Sequence, residues 1–436
     1  MKLQHKSQAN ILQKLGIKKL NPMQEEAQLN IVADHDVMLL SPTGTGKTLA
    51  FLLPIIGQLD EDCEEIQVLI LVPSRELAIQ INQVIRDMGS GYKTNAVYGG
   101  KSGSKDRMEL KHRPAILVGT PGRVADHMRR HTFTTEFIKT LVLDEFDKSL
   151  EVGFEKEMKD IISSLFNLNK RVLTSATQGV EIPSFVRLRD LKTINFLKDG
   201  ITKLKLKSIH SPSKDKLETL AKALSHLGNK PGIIFCNYKD SIQRLSVFLT
   251  EKNIPHGCFY GGMEQIERER ALLKFRNGTH QIIIATDLAA RGIDVPEIAY
   301  IIHYQLPHRR EEFIHRNGRT ARMNTNGTAY ILHWKDEQLP EFIGEPEVEE
   351  LSDAPLPKPS KWKTLYISGG RKDKISKGDI AGLFFKKGNI KKEELGTIEL
   401  KDDCSFVAVH ARIAIPLIQK LNNTHLKKRK IRVNVI

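Results

Sequence analysis

The chain has 436 residues, 40% of them hydrophobic and 27% charged, and a formal net charge of +15; at roughly 150 residues per domain, that length implies two or three domains. No apolar run nears the roughly 18 residues that suggest a membrane span, and the start Met1-Lys2-Leu3-Gln4-His5-Lys6 has no apolar core of the signal-peptide kind, so a cytoplasmic protein without a membrane partner is expected. Cys63, Cys236, Cys258 and Cys404 lie far apart, without zinc or disulfide spacing, and read as reduced packing residues.

In chain order, the first strand signal is Val37-Met38-Leu39-Leu40, followed by apolar runs at 68–72, 115–118, 141–143 and 171–174. Short β-branched runs separated by amphipathic stretches read as parallel strands buried on both faces, with helical crossovers. The rhythm breaks near Asp199-Gly200 and resumes at 232–235, 281–284 and 300–303, which predicts a second α/β domain of similar build. Residues 336–353 hold eight acids and no base and run into Pro355, Pro357 and Pro359; they read as a stiff, solvated linker that leaves the next domain movable. Strand, helix, strand, helix, strand then follow, near 364–368, 377–387, 405–409, 413–421 and 430–433, the order of a small RRM-like α+β domain. Residues 361–436 carry 18 Lys and Arg against 7 Asp and Glu, a density that favours phosphate binding. The expected boundaries are 1–200, 201–338, 339–360 for the linker and 361–436.

The strongest chemical signal is Ser41-Pro42-Thr43-Gly44-Thr45-Gly46-Lys47-Thr48, placed between a strand and an apolar helix. Glycines let backbone N–H groups close around phosphates, the helix N-terminus adds its dipole, Lys47 reaches the β and γ phosphates of ATP, and Thr48 is placed for Mg²⁺. Ser41 stands in place of the first glycine of the strict pattern. Asp144-Glu145-Phe146-Asp147 follows the strand at 141–143, where an α/β sheet presents ligands. There Asp144 suits Mg²⁺, and Glu145 suits orienting and deprotonating the attacking water.

With these motifs in this order, the chain resembles the DEAD-box RNA helicases from about Gly16 to about Leu332. The resemblance implies two RecA-like parallel-sheet domains in tandem that share one ATP, with RNA held by its phosphates and 2′-hydroxyls and duplexes opened locally rather than processively. Asn21-Pro22-Met23-Gln24 resembles the family's adenine-reading motif, with Gln24 on the base and Thr43, Gly44, Thr45 and Gly46 joining Lys47 and Thr48 around the phosphates. Arg75, Gly100, Thr120 and Arg123 fall on the family's RNA contacts in the first domain, and Gln265, Arg268, Thr286 and Gly292 on those in the second. Asp294 falls on a nucleotide contact, and Asp147, Ser175, Thr177 and His315 fall on the motifs that couple hydrolysis to strand separation. Arg319 and Arg322, three residues apart, could both bring guanidinium groups to the γ-phosphate. Phe146 replaces a family alanine and Ala321 a glycine; neither removes a charged group, so activity is expected to survive, and Asn21 replaces a threonine. No aromatic precedes Gln24, so looser nucleotide selectivity is expected.

The end of the chain resembles the RNA-binding domain of DbpA-type helicases in Leu365-Tyr366-Ile367-Ser368-Gly369-Gly370-Arg371 and Cys404-Ser405-Phe406-Val407. Mainly Tyr366 and Phe406 offer sheet aromatics, and Phe406 also reads as core, so basic surface, including Lys427, Lys428, Arg429 and Lys430, is expected to carry the binding. The resemblance implies structured ribosomal RNA or pre-ribosomal particles as target, large-subunit assembly as process, and a monomer. Two other readings compete: a DNA helicase, disfavoured by the motifs around Gln24, Arg75 and Arg123, and an ATP-gated RNA clamp that needs no turnover.

Overall fold

Runs that are apolar on both faces are stable only inside a sheet covered on both sides, and the chain builds two such sheets. The computed structural model describes residues 7–33, 36–100, 103–179, 181–197, 204–287, 298–320 and 327–436. These form two compact units, one from the described residues up to Leu197 and one from those beginning at Leu204.

The first unit holds seven strands: Asp36–Leu40 (β1), Val68–Leu71 (β2), Thr94–Val97 (β3), Ile116–Gly119 (β4), Thr140–Leu143 (β5), Lys170–Ser175 (β6) and Leu191–Asn195 (β7). They run parallel in the order β3-β4-β2-β5-β6-β1-β7. Successive strand residues face opposite sides. Val37, Leu39 and Ile70 therefore pack with Phe51, Leu52 and Ile55 on one side, while Met38, Leu40, Leu69 and Leu71 pack with Phe146, Met158 and Ile161 on the other. Phe146 is wholly buried in this second core, so the residue that breaks the family's motif is a packing residue. Phe146→Ala restores the family letter but empties that space, and should destabilise the fold by roughly 3–5 kcal/mol; an unchanged urea midpoint would contradict this.

The second unit opens with Leu204–Ser211 (β8), Gly232–Phe235 (β9), Gly257–Phe259 (β10), Ile282–Ala285 (β11), Tyr300–His303 (β12), Gly327–Trp334 (β13) and Glu347–Val348 (β14). Their order, β10-β11-β9-β12-β13-β8-β14, repeats that of the first sheet position for position. Gly232 is required on β9, because a Cβ there would lie 2.2 Å from the ring of Tyr300 on β12.

The acidic stretch is not the free linker expected from its composition. Glu347 and Val348 pair in parallel with Lys207 and Ser208 of β8, Glu349 binds Lys207 and His226, and Asp353 lies 3.2 Å from Lys222. Its acids meet Lys207 of β8 and Lys222 and His226 of the helix Leu217–Leu227, and Leu351 packs on the adjacent core. Composition registers the charge of such a segment but not the complementary edge it lies on.

The last domain has Trp362–Ile367 (β15), Leu395–Leu400 (β16), Ser405–His410 (β17), the hairpin His425–Leu426 (β18) and Arg429–Lys430 (β19), and Val433–Val435 (β20). Its antiparallel sheet runs β16-β17-β15-β20. Leu365, Ile367, Val407 and Val409 face the helices Lys377–Leu383 and Ala414–Leu421 through Ile380, Leu383 and Leu417. Alternation puts Trp362, Thr364, Tyr366, Phe406 and Ala408 on the opposite face, and part of that face is covered by the second α/β domain. Thr364 Oγ1 lies 2.7 Å from Thr279 Oγ1, Arg276 pairs with Glu399 at 2.6 Å, and a Cβ on Gly278 would touch the Trp362 ring at 3.5 Å. Thr364 is consequently buried, and Ala408 is buried beside Gly396. Phe406 lies outside the apolar core and meets Tyr366 edge to face, with ring centroids 5.7 Å apart, where both remain partly exposed.

Candidate functional site

Beyond the carboxyl ends of β1, β5 and β6, three loops of the first unit converge. The loop after β1 turns through Gly44 and Gly46, at φ 83° and 88°, values that cost a side chain but not a glycine. Thr45 Oγ1 donates to the Pro42 carbonyl at 2.9 Å and lies 2.8 Å from Ser41 Oγ, closing the turn. Lys47, at the start of the helix Lys47–Gly57, is buried and donates from Nζ to the carbonyls of Ser41 and Pro42. Thr43 sits partly buried in the loop, and Thr48 is the second residue of the helix.

Asn21 and Gln24 form a reciprocal cap on the helix Pro22–Ala33: Gln24 N donates to Asn21 Oδ1 at 2.9 Å and Asn21 N to Gln24 Oε1 at 3.0 Å. Asn21 Nδ2 also donates to the Thr45 carbonyl, and Gln24 Nε2 to that of Gly46, so this helix is tied to the phosphate loop from both residues. The asparagine that departs from the family pattern thus makes a second tether of its own.

Asp144 and Glu145 follow β5, and both are buried. Glu145 adopts φ 49°, uncommon for a residue with a side chain, and its N–H is held by Asp144 Oδ1 and Thr174 Oγ1 at 3.2 and 3.1 Å. Thr174 Oγ1 also donates to Asp144 Oδ1. Burial pushes the Asp144 carboxyl above its usual range, opposed by the Thr174 hydrogen bond and by the charge of Lys47. Asp147 accepts from Thr177 Oγ1 at 2.9 Å, while Thr177 N donates to Ser175 Oγ at 3.0 Å. The acidic motif and the Ser175-Ala176-Thr177 turn are therefore joined directly. Thr174 belongs to no expected motif in the sequence; only its place at the end of β6, beside β5, marks it.

Elsewhere in this unit, Arg75 begins the helix Arg75–Met88, and a Cβ on Gly100 would come within 2.6 Å of its guanidinium. Thr120 precedes the helix Pro121–Arg129. Arg123 on that helix lies 2.9 Å from the buried Asp106 carboxylate and 3.6 Å from Asp126.

In the second unit Gln265 opens the helix Gln265–Arg276, donating to Glu269 at 3.2 Å, and Arg268 lies over the Phe259 ring at 5.1 Å. Thr286 follows β11, its N–H directed to the Phe259 carbonyl. His315 and Arg319 are both buried, on and just after the helix Arg310–Asn317. Arg322, Asp294 and Gly292 lie outside the described residues. Arg316, absent from the expected site, forks onto Asp287 at 2.7 and 2.6 Å and reaches Gln305 O and Asn237 Oδ1, each at 2.7 Å.

All four basic residues at 427–430 are exposed; Lys427 pairs with Asp379 at 2.7 Å and Arg429 with Asp373. Lys427 and Ser376 together hold the Asp379 carboxyl down at about 2. Among the described residues no cluster of three or more His, Cys, Asp or Glu is arranged to hold a metal, and no helix is long and apolar enough to cross a membrane. Burial raises the Cys236 thiol to about 12, in keeping with a packing residue.

Comparison with known proteins agrees with this geometry. Residues 21–184 match the DEAD/DEAH box helicase family, residues 215–324 the helicase conserved C-terminal domain, and residues 364–435 the DbpA RNA binding domain. The chain is 31% identical to the ATP-dependent RNA helicase DbpA of Bacillus subtilis (strain 168), over 97% of this chain and 96% of that protein. It is 30% identical to the ATP-dependent RNA helicase DbpA of Escherichia coli (strain K12), over 99% and 97%. Among solved structures, S. cerevisiae Dbp5 bound to RNA and ADP BeF3 superposes with a TM-score of 0.69 at 25% identity, over 78% of this chain and 93% of that one. The DEAD-box helicase Mss116 bound to ssRNA and UDP-BeF gives 0.69 at 25%, over 80% and 79%.

Proposed function

Since the chain belongs to the DEAD/DEAH box helicase family and is an ATP-dependent RNA helicase, we propose that it couples each ATP hydrolysed to the local, non-processive opening of a short RNA duplex. We further propose that its last domain directs this activity to structured ribosomal RNA during assembly of the large subunit. Lys47 and the glycine loop bind the β and γ phosphates, with Gln24 and Asp294 contributing to the nucleotide site. Glu145 orients the attacking water and takes its proton, and Arg319 with Arg322 brings positive charge to the γ-phosphate as negative charge develops there.

A Mg²⁺ ion fits the donors present. Asp144 is a buried carboxylate with a raised pKa, the setting in which a hard divalent cation stabilises the charged form. Asp144 and the Thr48 hydroxyl would hold the ion, which when bound neutralises charge on the phosphates. RNA is gripped by its backbone through Arg75, Gly100, Thr120 and Arg123 in one unit and Gln265, Arg268, Thr286 and Gly292 in the other. Lys428 and Lys430, exposed on the last hairpin beside the ion-paired Lys427 and Arg429, supply the third domain's phosphate contacts.

The observation that supports this reading most is the 2.9 Å hydrogen bond from Thr177 to Asp147. It links the loop bearing the catalytic glutamate to the turn that the family uses for strand separation, and His315 is assigned to the same coupling. The test is ATP turnover by the purified chain with no nucleic acid, with duplex RNA bearing a single-stranded extension, and with the matching DNA. Strong stimulation by RNA alone is expected; turnover indifferent to RNA overturns the proposal. Crosslinking RNA to residues 361–436 in cells and sequencing it tests the ribosomal target separately.

A further inference from the structure

Ligands of open parallel sheets bind beyond the carboxyl ends of the strands, where the strand order reverses. The two large sheets share one strand order, so each has such a place. In the first unit it is filled by the phosphate loop after β1. The counterpart in the second is the loop after β8, Ser211-Pro212-Ser213-Lys214-Asp215-Lys216, which leads into the helix Leu217–Leu227. Like Ser41-Pro42 through Lys47, it begins Ser-Pro and ends in a lysine at the helix start, with one residue fewer between.

The likeness extends to the lysine itself. Lys216 is buried, donates from Nζ to the Leu332 carbonyl at 3.0 Å, pairs with Glu337 at 3.2 Å and lies 5.4 Å from the Tyr304 ring centre. Lys47 likewise rests on main-chain carbonyls. Beside Lys216 opens a cavity of about 570 Å³ whose lining includes Lys214, Tyr238, Arg244, His308 and Trp334. That volume is typical of sites for small organic ligands. The cavity lies past the ends of β9, β12 and β13, the strands that correspond in order to β2, β5 and β6 of the first unit.

Differences between the two loops define the ligand. The loop after β8 contains no glycine, so it cannot turn a nest of N–H groups around a polyphosphate. Tyr304-Gln305 follows β12 where Asp144-Glu145 follows β5, so the acidic pair of the first unit has no counterpart at that position, and Glu337 on the cavity wall is already paired with Lys216. What remains is exposed cationic side chains, Lys214 and Arg244, and aromatic faces, of which Tyr238 is 58% exposed. Arg244 uses one nitrogen on Asp215 at 2.8 Å, and a guanidinium has five N–H donors.

We propose that this cavity is a second nucleotide site, for binding only, that takes one ribonucleotide 5′-monophosphate unit with its phosphate on Lys214 and Arg244 and its base against Tyr238 or Trp334. The same chemistry is presented by a free mononucleotide and by one nucleotide of an RNA strand. The site stands on the second unit alone and requires no hydrolysis in the first.

The test uses the full chain with excess AMP-PNP and Mg²⁺ to occupy the first nucleotide site. In one arm 4-thiouridine 5′-monophosphate is photocrosslinked; in the other, a short oligouridylate carrying one 4-thiouridine. Adducts on residues 237–244, 304–308 or 334–338 are expected in at least one arm. Adducts with the free nucleotide only identify a mononucleotide site, and adducts with the oligomer only identify a strand contact. The K214E/R244E variant, altered at two exposed positions, should lose about tenfold or more of that yield, as expected for losing charged hydrogen bonds, with thermal melting unchanged; K214R should retain it. No adduct in those segments with either probe, or a yield unaffected in K214E/R244E, overturns the proposal.

Discussion

Glu145→Gln is expected to lower RNA-stimulated ATP turnover by roughly 10²–10⁴-fold, the usual worth of a positioned general base, while ATP and RNA still bind. The residue is held in place from its backbone: φ is 49°, and the N–H is fixed by both Asp144 and Thr174. Glutamine keeps the size and the hydrogen-bonding ends of the side chain but cannot take a proton from water at neutral pH. The phosphate loop, which contributes binding rather than proton transfer, is untouched. The variant should therefore form a complex with ATP and RNA that releases RNA more slowly than the parent chain. Steady-state turnover and RNA dissociation measured on the same preparation check both halves. Turnover within a factor of a few of the parent would remove Glu145 from the proposed role. Function in cells that survives the loss of turnover would favour the RNA clamp reading.

Arg319→Ala should cost roughly 10³–10⁵ in turnover, the range associated with an arginine that stabilises a phosphoryl-transfer transition state. Lysine should not restore the activity, since it lacks the planar fork that matches phosphate oxygens. ATP affinity should change far less than turnover, because the interaction matters most once charge has moved onto the transferring group. The neighbouring Arg316 offers the contrast. It is 1% exposed, forks onto Asp287, reaches the ends of β9 and β12 and lies 5.2 Å from the Phe235 ring centre. Arg316 is thus a strut of the second unit. Its loss should appear chiefly in unfolding experiments, whereas loss of Arg319 should lower turnover far more than it lowers the melting temperature. Equal loss of stability in the Arg319 variant would mean that its role is packing.

Burial on the outer face of the last sheet changes how its RNA binding should be understood. An RRM-like sheet with aromatics on its outer face invites base stacking across its centre. Here Thr364 and Ala408 at that centre are buried, with Thr279 and Asn277 of the second α/β domain against Thr364. Tyr366 and Phe406 remain partly open at the margin, and Lys428 and Lys430 are exposed on a separate hairpin. The central face is used within the chain, which leaves basic surface and margin for RNA.

Much of this was determined by sequence alone. Apolar runs at 37–40, 68–72, 141–143 and 232–235 can only be central strands, and a glycine loop between such a strand and an apolar helix has few physical uses other than holding phosphate. Other strands were not legible in that way: β7 shows one buried residue in five, β8 alternates Leu-Lys-Leu-Lys, and β14 is two exposed residues. Each lies toward a sheet edge, where a one-sided environment removes the continuous apolar signal. Tertiary structure alone decided that the acids at 347–353 fold onto Lys207, Lys222 and His226, that Phe146 is core, that Arg316 is a strut, and that the loop after β8 repeats the position of the phosphate loop. All four depend on which distant segments meet, and pairing between segments far apart in the chain is set by the closing of sheets and cores, which no local run of residues records.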